Sequence, residues 1–381
     1  MSRTVGIPPA YLAKLDDIQR KFILMAVGLR FYDEFLCQHG KHLFIFGTTG
    51  SGKTQKGYHF VNWLKHLETQ VWISSGKTNE TLPLLCMDRK VRIIVPTGVD
   101  VIIEENCSGK WTRIENHPDV IPVETPRDML NAITAGSWSK SRHLVRDTIN
   151  ILEVRTAFAA RDKAVHWNAE MFQALAEMLR EGELHDLSPS AWHIDESQWT
   201  LAGKRISNDP ERMKASEIIT ENALELRSAG FRLVLYAQGH NNIPPPAREN
   251  MIFNVICRGA DVTSDEDTRL SEWCKYTRNR NPPSPMQFKT YHGRFVFENG
   301  DSYPKDRPWK FRKYPLNPED QERIRHMRVR YLGKHDKKTE VDEILEECIP
   351  DLGRYAALAI KPEMVECAPS QSLLPRPAEI E

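Results

Sequence analysis

Long hydrophobic runs are missing from this chain of 381 residues. Near the N-terminus the longest uninterrupted apolar run is Phe22 to Val27, far short of the ~20 residues a membrane span needs and too short for a signal-peptide core. No membrane insertion is expected. A charge imbalance is missing too: 52 basic and 52 acidic residues cancel, so no global field drives the chain onto nucleic acid or anionic lipid, and any DNA contact has to be local. The seven cysteines (37, 86, 107, 257, 274, 348, 367) form no C-x-x-C and no Cys/His group at zinc spacing. That usage suits free thiols in a reducing interior, and the expectation is a soluble, cytoplasmic protein. No repeat or low-complexity tract appears in residues 98–190, and the chain's length accommodates one α/β domain with extensions as readily as two equal domains.

What the chain does have is a phosphate-loop pattern. Leu43-Phe44-Ile45-Phe46 reads as a buried strand and runs into Gly47-Thr48-Thr49-Gly50-Ser51-Gly52-Lys53-Thr54, which fits G-x-x-x-x-G-K-[ST] without a mismatch. Closely spaced glycines let successive backbone N–H groups turn onto phosphate oxygens. Lys53 is then expected to bridge the β and γ phosphates of ATP, and Thr54 to offer its hydroxyl to Mg²⁺. A helical pattern follows (Tyr58, Phe60, Val61, Trp63, Leu64, Leu67), and its N-terminal dipole adds to the anion site.

Residues 10–38 have helical spacing and end at Gly40. Residues 70–74 and 91–96 read as a second and third strand, with another strand at Val99 to Ile103 and helical segments near 126–135, 141–160 and 166–181. A second Gly-Lys-Thr, Gly76-Lys77-Thr78, follows the second strand. It lacks the upstream glycine, since position 71 is Val, and reads as a strand-to-helix turn lining the site. Ala191-Trp192-His193-Ile194-Asp195-Glu196 is a short apolar segment closing on two carboxylates. At a strand end beside the phosphate loop, Asp195 can support the metal and Glu196 can polarise an attacking water. Residues 211–229 form a helix, and Phe231 to Gln238 a strand ending on an amide. Gln238 there either senses the γ phosphate or simply satisfies backbone groups.

Taken together, Gly47 to Thr54, Ile194-Asp195-Glu196 and above all Leu226-Arg227-Ser228-Ala229-Gly230-Phe231-Arg232-Leu233-Val234-Leu235-Tyr236-Ala237-Gln238 resemble the FtsK/HerA superfamily of DNA-pumping ATPases. Residues 253–258 are similar to that family's final core strand, and the likeness covers roughly 40–275. The resemblance implies an α/β fold of the RecA-like P-loop NTPase (ASCE) type, with a mostly parallel sheet flanked by helices. It implies catalytic roles for Glu196, Gln238 and Arg227, the last as an arginine finger delivered to a neighbour's nucleotide. Arg232 and Arg248 are the alternatives for that finger, and a helix-end Arg bonded to carbonyls is the plainer reading of Arg227. It also implies a ring-shaped homo-oligomer, a hexamer, working on double-stranded DNA, with a capsid or secretion-channel protein as a further partner. In the family the second strand often closes on an acidic residue, whereas here it closes on Ser74-Ser75.

The expected layout is an N-terminal helical segment (1–39), an ATPase core (40–300) with a helical insertion near 98–190, a basic helical extension (301–360) and a disordered tail (361–381). Two basic stretches are candidate DNA contacts: 275–280, ahead of a hairpin with strands near 287–291 and 294–298, and 305–338, which holds 12 Lys/Arg against 5 Asp/Glu. Within the second, Asn317-Pro318-Glu319-Asp320 is a helix start. The competing functional class is a nucleotide-switched scaffold or export ATPase that pumps no DNA.

Overall fold

The computed structural model describes residue 35 and residues 38–335, except 48, 50–51, 66, 78, 88–89, 115–117, 138–147, 184–186, 188, 202–209, 252, 257–295 and 299–316. The chain divides into two compact units, 1–335 and 336–381, and every described residue belongs to the first. All of the expected N-terminal helix except Phe35 and Gln38, the 275–280 stretch, the hairpin turn at 292–293, and the extension and tail from 336 onward lie outside the described residues.

Mostly apolar, fully buried strands make the centre of the fold. Strands β1 (Leu43–Phe46), β2 (Thr69–Ile73), β8 (Ser190–Ile194) and β9 (Phe231–Ala237) are buried at every position. That is the signature of parallel strands covered on both faces. With β3 (Lys90–Pro96), β6 (Asp119–Val123), β7 (Thr148–Leu152), β10 (Phe253–Ile256) and β11 (Val296–Glu298) they form one nine-stranded sheet, in the order β11-β10-β1-β9-β8-β2-β7-β3-β6. Every pairing in it is parallel. Parallel strands require crossovers, and helices supply them: α1 (Lys53–Leu64), α2 (Leu82–Leu85), α3 (Pro126–Ser137), α4 (Arg161–Arg180), α5 (Pro210–Ser228) and the short α6 (Pro245–Glu249).

Three elements depart from expectation. Residues 141–160, expected to be helical, contain β7, a fully buried inner strand; Ile149 and Ile151 alternate about Asn150, which is itself buried and donates to Gln70 O at 3.3 Å. Among its described residues, the segment 98–190 therefore holds four strands (Asp100–Cys107, Lys110–Arg113, β6 and β7) beside two long helices. The strand expected at 99–103 forms as β4 (Asp100–Cys107), yet it belongs to a separate antiparallel sheet with β5 (Lys110–Arg113) and β12 (Met327–Leu332). The basic helix α7 (Pro318–Arg325) starts as expected, with the Asn317 side chain accepting from Glu319 N at 2.8 Å. It lasts only eight residues before β12 begins. Met327, Val329 and Tyr331 face inward while Arg328 and Arg330 face out, a period of two that no helix accommodates.

One close approach seats the phosphate-loop helix. A Cβ at Gly57 would come within 2.8 Å of the Trp72 ring and of the Tyr236 hydroxyl, so only glycine lets α1 lie this near the sheet. Beneath it, His193 joins three strands through Tyr236 Oη (2.7 Å) and Gln70 Oε1 (3.0 Å).

Candidate functional site

The order β10-β1-β9-β8-β2 puts one strand, β9, between the strand that feeds the phosphate loop and the strand that carries the two carboxylates. Because all of them run the same way, their carboxyl ends share one rim, the usual ligand-binding rim of an open parallel sheet. Gly47 follows β1 and donates its N–H to Ala237 O at 3.2 Å, tying the loop's first residue to the end of β9. Thr49 lies exposed in the loop, while Thr48, Gly50 and Ser51 fall outside the described residues. Gly52 has φ +88°, in the left-handed region where glycine is at home, and opens α1.

Lys53 is buried and its ammonium donates to Gly47 O at 2.9 Å. One residue on, the Thr54 hydroxyl reaches Asp195 Oδ1 at 3.4 Å. Glu196 has φ 45° and ψ 47°, a left-handed conformation that costs a non-glycine residue roughly 1–2 kcal/mol. The turn is pinned by Trp199 N–H to Glu196 O (2.8 Å) and by the Ser197 hydroxyl to Tyr236 O (2.8 Å). Gln238, just beyond β9, donates from Nε2 to Glu196 Oε2 at 3.3 Å, and Gln198 Nε2 donates to the same oxygen. Lys53, Thr54, Asp195, Glu196 and Gln238 are thus gathered at one rim, as the sequence suggested.

Lys77 was less expected at this site. Its ammonium lies 2.8 Å from Asp195 Oδ2 and 2.6 Å from Glu196 Oε1. Burial pulls the Lys77 ammonium down, but the two carboxylates more than offset this and hold its pKa above the ordinary lysine value. The converse holds for Glu196: burial pushes its carboxyl up, yet the bond and charge of Lys77, with Gln198 and Lys53, hold it below the usual range. Gly-Lys-Thr after a strand was the one available signal for Lys77.

Behind this pair sits a carboxylate that no motif announces. Glu80 is buried and accepts from Trp72 Nε1 (2.7 Å), Ser75 Oγ (2.7 Å), Ser75 N (3.2 Å) and Lys77 N (3.4 Å). Burial, with the charge of Asp195, lifts it to about 8 despite those donors. The acidic group missing from the end of the second strand thus arrives from five residues further on, folded back onto Ser75.

The three arginines fare differently. Arg227 ends α5, next to Gly40 and His42 at the opposite rim. The seven-residue β9 separates it from its own phosphate loop, roughly 20 Å of strand. Arg232 is fully buried; its guanidinium is bonded twice to Glu68 (2.8 Å each) and to Phe35 O and Gln38 O (2.7 Å each). That rules it out as a finger reaching another subunit. Arg248 is buried beyond Gln238, bonded to Asn241 Oδ1 at 3.0 Å and to the His240 ring.

In the second basic stretch, the described arginines are paired. Arg328 meets Glu104 at 2.6 Å and stacks over Trp111, Arg330 meets the same Glu104 at 3.6 Å, Arg323 meets Glu105 at 3.5 Å and Arg325 meets Glu322 at 2.7 Å. Among the described residues, no helix is long and apolar enough to cross a membrane.

Phosphate loop, interposed strand and paired carboxylates on one rim of a parallel sheet define a RecA-like P-loop NTPase fold. No family model and no curated protein matches the chain. Among solved structures it is similar to the genome packaging NTPase B204 from Sulfolobus turreted icosahedral virus 2 in complex with ATPγS, at 12% identity over 66% of this chain and 91% of that one, TM-score 0.30. It is also similar to the pCW3 conjugation coupling protein TcpA with ATPγS (13%, 68% of this chain and 59% of that one, TM-score 0.33) and to EssC ATPases 2 and 3 from Geobacillus thermodenitrificans (10%, 84% and 44%, TM-score 0.28).

Proposed function

We propose that this chain is an oligomeric, Mg²⁺-dependent ATPase that translocates or packages double-stranded DNA. The observation that carries the hydrolase reading is the meeting of Thr54 with Asp195 beside Glu196 and Gln238 at the mouth of the phosphate loop. A hydroxyl and a carboxylate are hard oxygen donors, the chemistry Mg²⁺ prefers, and the Lys77 ammonium already draws on the same carboxylate. Thr54 would hold the ion directly and Asp195 would support it. Bound there, Mg²⁺ would neutralise phosphate charge.

The chain's own groups do the rest. Lys53 exchanges Gly47 O for phosphate oxygens, and the backbone amides that the glycine-rich sequence supplies would hold the remainder of the phosphate chain. Glu196 Oε accepts a proton as a water oxygen bonds to the γ phosphorus and the bond to the β–γ bridging oxygen breaks, giving ADP and phosphate. Gln238, hydrogen-bonded to that carboxylate, orients the water. Arg227 lies at the rim opposite its own loop, so a finger role belongs to the nucleotide of a neighbour in a head-to-tail ring, as the sequence resemblance implies.

Support for DNA as the track comes from the Arg227-to-Gln238 block. The pairing of Arg323, Arg328 and Arg330 with glutamates favours a solvated structural face over a DNA arm for that stretch, and the competing class remains a nucleotide-switched scaffold. An ATPase assay with and without linear duplex at stepped salt separates the two. A motor shows DNA-stimulated turnover that fades with salt; no stimulation and no salt-sensitive DNA binding leaves a nucleotide-switched scaffold.

A further inference from the structure

We infer that Lys77 is a built-in counter-ion of the metal site, a positioning residue that holds Asp195 and Glu196 until a divalent cation displaces it. The inference rests on the P-loop hydrolase reading of the site above. Its ammonium bridges the two carboxylates at 2.8 and 2.6 Å, and Asp195 is the residue that also meets the Thr54 hydroxyl. A divalent ion supported by Asp195 and a free Glu196 base are therefore both incompatible with Lys77 where it lies.

The placement is built rather than casual. Gly76, at φ +76°, takes the chain out of β2 in a conformation suited to glycine, and its N–H is held by Ser74 Oγ at 3.1 Å. Glu80, buried behind the turn, takes up the N–H groups of Ser75 and Lys77. The Lys77 stem is thereby fixed at its base, while the side chain is 46% exposed and its head can swing toward solvent. The Asp195 side chain is only 1% exposed, and a carboxylate so buried is costly unless it is paired with a cation. Lys77 supplies it in the nucleotide-free chain, and a metal supplies it afterwards. Metal entry alone is then opposed by an ammonium, and entry with a triphosphate is favoured because the phosphate oxygens give the ammonium another partner. The device couples release of the Glu196 base to arrival of a metal nucleotide.

The test uses the full-length protein without nucleotide, with Mn²⁺ as the probe and its electron paramagnetic resonance signal as the readout. Lys77→Met is expected to bind Mn²⁺ at least tenfold more tightly than the parent, and Lys77→Arg, which keeps the charge, no more tightly than the parent. Equal Mn²⁺ affinity in all three proteins overturns the inference. Should Lys77→Met fail to fold, the parent decides: saturating Mn²⁺ should raise acylation of Lys77 relative to the exposed Lys90, read by mass spectrometry, and an unchanged ratio overturns the inference. Neither readout depends on turnover, so a failed ATPase assay and a failed counter-ion test remain distinguishable.

Discussion

Replacing Arg232 by methionine should cost this protein a large part of its stability while leaving each folded molecule's chemistry untouched. Arg232 and Glu68 are both 0% exposed, and the guanidinium satisfies four acceptor atoms: two carboxylate oxygens and the carbonyls of Phe35 and Gln38. It also lies 4.3 Å from the centre of the Phe35 ring. Burial pushes the Glu68 carboxyl up, but His39 and Arg232 hold it below its ordinary value, so it is a buried anion at neutral pH. Methionine fills the volume and leaves that anion with His39 alone, at 2.9 Å. Breaking a buried pair from one side costs about 3–5 kcal/mol, against the roughly 5–15 kcal/mol that holds a domain together. Urea unfolding at pH 7, followed by tryptophan fluorescence, reads the loss. Removing both partners, Arg232→Met with Glu68→Met, should restore part of it, because no buried charge is then stranded. A loss under about 1 kcal/mol in the single variant, or a double variant worse than the sum of the singles, refutes the reasoning.

Gly57→Ala should destabilise by roughly 1–3 kcal/mol and weaken nucleotide binding, since the new methyl meets buried ring atoms at 2.8 Å; on helix propensity alone it would stabilise by up to about 1 kcal/mol, so the sign in a melting curve decides. His42 accepts from Leu233 N and donates to Ala223 O, and burial lowers its pKa from 6.5 to about 4. It is neutral when folded and protonated more readily when unfolded, so its contribution is complete above about pH 6.5 and is lost as pH falls toward 4, on the order of 2 kcal/mol between pH 7 and 5. His42→Gln should flatten the pH 5–7 stability slope by that amount; a slope unchanged from the parent contradicts it.

How much of this was legible beforehand follows from which contacts are local. Buried parallel strands announce themselves as continuous apolar runs, so β1, β2, β3, β8, β9 and β10 could be placed from sequence. So could Lys53, Thr54, Asp195 and Glu196, whose chemistry fixes their position relative to strand ends. The strand β7 was not legible, because its centre is Asn150, a polar residue whose partners, Gln70 and Arg92, come from other strands. In β12 the alternation was present but hidden by the basic residues around it, whose partners Glu104 and Glu105 lie more than 200 residues earlier. Lys77 and Glu80 reach the site through a turn whose shape depends on Trp72 and Ser75, and no spacing rule encodes that. Arg232 read as an alternative finger, because its buried partner Glu68 lies 164 residues earlier.

The central claim is that Glu196 is the base of an ATP hydrolase whose loop is held by Lys53. Steady-state phosphate release by Glu196→Gln, measured beside equilibrium binding of a fluorescent ATP analogue, tests it most directly. The account predicts turnover reduced by about 10² or more, the usual worth of a general base, with nucleotide binding retained. Turnover at the parent rate would contradict it.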